Sequence, residues 1–132
     1  MNKIYNKLVR DNIPNIIRAK GETPTVKILI TEEFNKQLDQ KLVEEVNEYQ
    51  ESGNIEELAD VVEVIYGILQ QKGISLGKFE RIRKSKAKKN GGFHHGIFLE
   101  SVEVPDQQSM ELEEPNTAEQ EEQCDTTKNK ED

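Results

Sequence analysis

The chain has 132 residues, a net charge of -8 and a single cysteine. This length fits one domain with a modest apolar core, for which oligomerisation is a reasonable expectation. Cys124 cannot form an internal disulfide, the first residues lack the apolar run of a signal peptide, and no segment approaches the roughly 18 apolar residues of a membrane span, so the sequence predicts a cytoplasmic protein with no membrane partner.

The negative charge is concentrated at the C-terminus. Residues 105–132 contain ten acidic residues, two lysines and no aromatic residue, which accounts for the whole net charge. Such a segment has little to bury, and we predict an acidic disordered tail that solvates the protein or, alternatively, docks a partner. Residues 1–104 are then a single domain in which acidic and basic residues balance.

The first thirty residues predict a short helix and then an extended segment. In DNIPNIIRAKG, Pro14 suits the first turn of a helix and Gly21 suits its end. In TVKILI, at about 25–30, apolar and other residues alternate, which indicates extended backbone. A second extended segment is predicted at about 97–103, within GIFLESVEV.

Three longer helices are predicted between these segments. The first runs from about residue 32 to 52 and the second from 55 to about 72, joined by the turn Gly53-Asn54. The third begins after Ser75 and is ended by Asn90-Gly91-Gly92. A tight turn between two long helices makes an antiparallel pair that needs further helices to cover it. The sequence therefore predicts an all-α fold, an antiparallel helix bundle completed by a second subunit.

Acidic residues interrupt the apolar faces of the two long helices. At 100° per residue, Glu45 falls within the apolar stripe of the first helix and Glu48 lies one step from its edge. On the second helix, Glu57 lies in an apolar stripe and Asp60 borders it. Carboxylates in such positions need a counter-charge, because isolated buried charges are very costly.

A divalent cation is the counter-charge that these helices favour. Lys36 and Lys41 fall off the inward stripe, and residues 55–71 contain no basic residue. Side chains three apart share a helix face, so the two acidic pairs can converge across the hairpin, and carboxylate oxygens suit magnesium or manganese. The alternative is a solvated acidic face, with Glu57 as the capping partner of Asn54. A di-iron site is disfavoured because neither helix contains histidine.

The third helix is strongly basic. GKFERIRKSKAKKNGG has few aromatic residues and belongs to a neutral domain, so nucleic-acid binding is disfavoured. A solvated face and a site for ligand phosphates both remain open, and cations would let a polyphosphate approach the acidic cluster. His94 and His95, side by side in a loop, are candidate ligands or bases, although such histidines are more often surface residues.

Together these segments resemble a known family. KLVRDNIP, EEVNE, EELAD and KAKKNGGF followed by IFLE are similar to the MazG-like all-α nucleotide pyrophosphohydrolases, in the branch named phosphoribosyl-ATP pyrophosphohydrolase-like. The similarity spans about residues 3–104. It implies a four-helix core, usually completed by dimerisation, that hydrolyses the α-β phosphoanhydride of a nucleotide to a monophosphate and pyrophosphate.

The resemblance also implies roles for individual residues. The magnesium ligands would be Glu45, Glu48, Glu57 and Asp60. Glu44 would lie in the second shell or accept a proton. Cations for the ligand phosphates would be Lys7, Arg10, Lys86 and Lys89. Asn90 departs from the family, which usually has arginine before the two glycines.

The expected mechanism is metal-assisted hydrolysis. One to three Mg²⁺ ions, with Mn²⁺ as a substitute, would bind the triphosphate and activate a water, and Glu44 or Glu48 would accept its proton. The substrate is phosphoribosyl-ATP or a nucleoside triphosphate, with sanitation of nucleoside triphosphates slightly favoured. The alternatives are a non-catalytic nucleotide- or metal-binding regulatory module and a helical scaffold without ligand.

Overall fold

The structure is a computed structural model that describes residues 1–105, and this part of the chain forms four helices and no strand. The helices are α1 (Ile13–Ala19), α2 (Thr31–Ser52), α3 (Ile55–Gln71) and α4 (Leu76–Asn90). The prediction of an all-α fold is confirmed, and the predicted bounds of the three longer helices agree to within about a residue. The predicted acidic tail lies, from residue 106 onward, outside the described residues.

A two-residue turn folds α2 and α3 into an antiparallel hairpin. Gly53 has φ 71°, in the left-handed region that glycine adopts without strain, and its N–H donates to the carbonyl of Tyr49 at 2.7 Å. Asn54 is the extended N-cap residue of α3, and its N–H donates to Ser52 Oγ at 3.1 Å. The turn thus places the last half of α2 beside the first half of α3.

The hairpin packs around a small apolar core. Among the described residues, the buried apolar side chains are Leu38 of α2 and Val64 and Leu69 of α3. Gly67 allows this close packing, because a Cβ atom there would lie 3.2 Å from Leu38 Cδ2. Three buried side chains supply little hydrophobic stabilisation, since each contributes about 1.5–3 kcal/mol.

Neither of the predicted extended segments forms a strand. Val26, Ile28 and Ile30 are exposed, and so are Ile97 and Leu99. Alternating apolar residues favour extended backbone, but a strand exists only when a neighbouring strand supplies hydrogen-bond partners. The described residues supply none, so 25–30 and 97–103 carry no regular secondary structure.

The chain divides after Ile74 into two units. The first contains α1, α2 and α3, and the second begins at Ser75 and contains α4. Ser75 caps α4 by accepting a hydrogen bond from the N–H of Lys78 at 3.1 Å, and Lys88 and Lys89 lie in the last turn, where cations favour the helix dipole. None of the four described helices combines the length and the apolar character needed to span a bilayer.

Candidate metal centre

Five carboxylates meet on the inner side of the hairpin. Glu44, Glu45 and Glu48 come from α2, and Glu57 and Asp60 come from α3. Two groups of three, Glu44 with Glu45 and Glu48, and Glu45 with Glu57 and Asp60, each place one oxygen per residue within 4.8 Å of the others. All four predicted metal ligands therefore belong to these groups, and so does Glu44, the other candidate proton acceptor. Glu45 belongs to both groups.

Glu45 is buried at the centre of this cluster. Its exposed fraction is 7%, and its Oε1 atom is buried without a hydrogen-bond partner among the described residues, as is Oε1 of Glu57. A buried polar atom without a partner costs about 1–3 kcal/mol, and more when it carries charge. The cluster thus retains buried acceptor oxygens that a bound cation would satisfy.

The charge state of Glu45 reflects this position. Burial raises the pKa of its carboxyl above the ordinary value, the neighbouring carboxylates Glu48 and Asp60 raise it further, and the ammonium of Lys41 opposes both. The net shift is upward. One lysine therefore compensates only part of the cost of ionising Glu45 inside the cluster.

Lys41 is a counter-charge of the cluster that the sequence prediction set aside. Its Nζ lies 3.2 Å from Oε2 of Glu44 and 3.2 Å from Oε2 of Glu45, and its side chain is only 15% exposed. The prediction that Lys41 falls off the inward stripe and cannot serve as counter-charge is wrong, because a step of about 100° per residue places Lys41 between Glu45 and Glu48 on the wheel. Its spacing of three and four residues from Glu44 and Glu45 is the sequence signal for these ion pairs.

Lys7 and Arg10, predicted to hold ligand phosphates, contact carboxylates of the cluster. Lys7 Nζ lies 3.3 Å from Glu44 Oε2, and Arg10 NH2 donates to Asp60 Oδ1 at 2.6 Å. Burial acts to raise the pKa of Glu44, but the hydrogen bonds and charges of Lys41 and Lys7 outweigh it, so this pKa lies below the ordinary value. The segment before α1 is thereby held against the hairpin.

The capping role considered for Glu57 does not occur. A reciprocal cap would have its carboxylate accept the backbone N–H of Asn54, but that N–H donates to Ser52 Oγ, and the Asn54 side chain makes no capping hydrogen bond. Glu57 is half-buried instead, with its Oε1 enclosed. Its position in an inward apolar stripe, as the wheel indicated, explains this.

The remaining candidates lie in the second unit. Lys86 and Lys89 are exposed residues of α4, and His94 and His95 form a turn after it. Gly91, with φ 87°, ends the helix at the predicted turn, and its N–H donates to the carbonyl of Ala87. The assignment of Lys86 and Lys89 to ligand phosphates stays a prediction.

Comparison with known proteins adds one partial similarity. No protein-family model matches the chain, and no solved structure matches it. A segment of 42 residues is 52% identical to an uncharacterized protein of Mycolicibacterium smegmatis. The aligned segment covers 32% of this chain and 43% of that protein, so the chain spans less than half of its relative.

The donor set of the cluster fits a hard divalent cation. All of the converging ligand atoms are carboxylate oxygens, which suit Mg²⁺, Mn²⁺ or Ca²⁺ better than softer metals that prefer nitrogen or sulfur. The buried oxygens of Glu45 and Glu57 without partners fit the same interpretation. Exposed acidic groups are common on helices. Glu45, however, is only 7% exposed and belongs to both carboxylate groups, so it is not part of a solvated acidic face.

Proposed function

We propose that the chain is a metal-dependent nucleotide pyrophosphohydrolase that cleaves the α-β phosphoanhydride of a nucleoside triphosphate or of phosphoribosyl-ATP. The observation that carries the proposal is the position of Glu45, a buried residue that belongs to both carboxylate groups and whose Oε1 has no hydrogen-bond partner. The resemblance of EEVNE and EELAD to the MazG-like enzymes supplies the reaction class.

The metal ligands in this proposal are Glu45, Glu48, Glu57 and Asp60, holding Mg²⁺ or Mn²⁺. When bound, the cation supplies positive charge against the phosphates and lowers the pKa of water. Glu44 or Glu48 takes the proton from the attacking water, since both belong to the group that includes Glu45. The water oxygen forms a bond to phosphorus, the bridging P–O bond breaks, and the products are a nucleoside monophosphate and pyrophosphate.

Cations of the chain bind the phosphates in this proposal. Lys7 and Arg10 are 44% and 53% exposed, so a ligand can reach them where they lie beside the cluster. Arginine and lysine stabilise negative charge that develops on phosphate oxygens. Lys86 and Lys89 are assigned the same role on the resemblance alone.

The decisive experiment identifies the products. Purified protein is incubated with Mg²⁺ and a panel of nucleoside triphosphates and phosphoribosyl-ATP, and the products are separated by anion-exchange chromatography. We expect equal amounts of a monophosphate and pyrophosphate, with none formed in EDTA. Release of orthophosphate alone contradicts the proposal. Tight nucleotide binding without turnover would instead support the non-catalytic binding module.

A homodimer belongs to the same proposal. One face of α3, which we name the outer face, is apolar yet exposed, and it consists of Ile55, Leu58, Val62 and Tyr66. These side chains are 38% to 76% exposed. A second subunit would bury this face, and the small core of the hairpin makes such burial a substantial source of stability.

The dimer predicts a specific response to a charge on the outer face. Val62→Glu should convert the protein to a monomer, because a carboxylate in an apolar interface has no compensating partner. Light scattering coupled to size-exclusion chromatography measures the molecular mass and so distinguishes the dimer from the monomer. Glu63→Gln, at the next, exposed position, should leave it unchanged. A wild-type protein that is monomeric at all concentrations would contradict the proposed assembly.

A further inference from the structure

Lys41 occupies an unusual position for a lysine on a helix surface. Its Nζ lies 3.2 Å from Glu44 Oε2 and from Glu45 Oε2, and the Lys41 and Glu45 side chains are only 15% and 9% exposed. An exposed pair at this spacing contributes little to stability, because water and salt screen its charges. A largely enclosed ammonium shared by two carboxylates is screened much less by water and salt, so its effect on the cluster should be larger.

The ion pairs leave part of each carboxylate available. Lys41 and Lys7 both contact Oε2 of Glu44, Lys41 contacts Oε2 of Glu45, and Arg10 contacts Oδ1 of Asp60. Oε1 of Glu45 is buried and has no hydrogen-bond partner. These cations therefore reduce the charge of the cluster without pairing with the buried Oε1 of Glu45.

Three cations of residues 1–74 pair with the five carboxylates of the cluster, namely Lys7, Arg10 and Lys41. The side chain of Lys41 is 15% exposed, whereas those of Lys7 and Arg10 are 44% and 53% exposed. The charge of Lys41 is therefore the least screened by solvent of the three.

We infer that Lys41 is a built-in counter-charge that lowers the affinity of the carboxylate cluster for a divalent cation and stabilises the cluster when no cation is bound. Without Lys41 the cluster would carry one more negative charge, and its attraction for a divalent cation would rise. With it, the cluster of the metal-free protein is held together against its own repulsion. Lys41 is thus a positioning residue. It lowers the affinity of the cluster for the cation and raises the stability of the metal-free protein.

This inference rests on the proposed function only for the identity of the cation site, and its test needs no nucleotide. Mn²⁺ is titrated into the full-length wild type, Lys41→Gln and Lys41→Arg by isothermal calorimetry at fixed pH and ionic strength. We expect saturable Mn²⁺ binding by the wild type and about tenfold tighter binding by Lys41→Gln, as the loss of one nearby positive charge implies. Lys41→Arg keeps the charge and should resemble the wild type.

Thermal unfolding without metal provides the second measurement. Lys41→Gln should melt at a lower temperature than the wild type, and added Mn²⁺ should remove the difference. Lys7→Gln, at a side chain that is 44% exposed, serves as a milder variant with the same direction and a smaller effect. Equal or weaker Mn²⁺ binding by both glutamine variants overturns the inference.

The outcome is separable from that of the product assay. A wild type that hydrolyses nucleotides while Lys41→Gln binds Mn²⁺ no more tightly overturns the role of Lys41 and leaves the enzyme proposal standing. A wild type without turnover whose Lys41→Gln variant shows tighter Mn²⁺ binding does the reverse. Absence of Mn²⁺ binding in all variants contradicts both.

Discussion

Replacing Glu48 with glutamine should reduce the rate of pyrophosphate release by about 100-fold or more, the typical contribution of a positioned proton acceptor. Glu48 is half-buried on α2 and shares a group of converging oxygens with Glu44 and Glu45. Glutamine keeps the size of the side chain but removes its charge, so it weakens both proton acceptance and cation binding. The measurement is kcat from quantified pyrophosphate at saturating nucleotide and Mg²⁺.

The matched control for this variant is Glu51→Gln. Glu51 lies on the same helix three residues further on, and it is exposed. Its substitution removes the same charge from α2 without touching the cluster, so kcat should stay within about twofold of the wild type because exposed charges are well screened. Equal activity in Glu48→Gln and the wild type would contradict the assigned role of Glu48 and, with it, the proposed site.

Comparison with Glu44→Gln separates the two candidate proton acceptors. Glu44 carries two ion pairs, with Lys7 and Lys41, on the same oxygen. Both glutamine variants remove one negative charge from the cluster, so both should bind Mn²⁺ about tenfold more weakly. Turnover at saturating Mn²⁺ separates them, because only the variant of the proton acceptor should remain inactive when the cation site is filled. Calorimetry with Mn²⁺ beside the product assay distinguishes these cases.

Local rules in the sequence predict the helices and the inward carboxylates of this chain. Gly53 and Asn54 mark the hairpin turn because left-handed backbone favours glycine and because an extended residue precedes a helix. The wheel places Glu45 inside the apolar stripe because burial on a packed helix follows the 3.6-residue period, and Glu45 is indeed buried. These features depend on residues close in the sequence.

The counter-charges are harder to predict for a physical reason. The wheel places Lys41 between Glu45 and Glu48, but just outside the apolar stripe, and a stripe defined by apolar residues does not show that a lysine at its edge pairs with Glu45. Lys7 and Arg10 meet partners 37 and 50 residues away in sequence. No periodicity encodes such contacts. Alternation at 25–30 and 97–103 predicts extended backbone, and Ile30 is extended, but alternation does not tell whether a partner strand is present.

Substituting Glu45 with glutamine should abolish the stabilisation of the protein by Mn²⁺. At a cation concentration about 100 times Kd, binding stabilises a folded protein by about 2.7 kcal/mol, which for a domain of this size raises Tm by on the order of 10 °C. Glu45 belongs to both groups of converging oxygens, so its amide variant weakens both at once. Glu56→Gln, at an exposed position of α3, should retain the full shift.

The stability of Glu45→Gln without metal distinguishes the loss of a cation ligand from general damage to the fold. Burial and neighbouring carboxylates raise the pKa of Glu45, so its folded form binds a proton more readily than its unfolded form. Its ionisation therefore disfavours folding progressively as pH rises from the ordinary value through the raised pKa, and the cost is complete above it. Glutamine resembles the protonated group, so at pH 7 metal-free Glu45→Gln should be at least as stable as the wild type. A lower Tm in EDTA together with an undiminished Mn²⁺ shift would mean that Glu45 serves the packing of the hairpin rather than the cation.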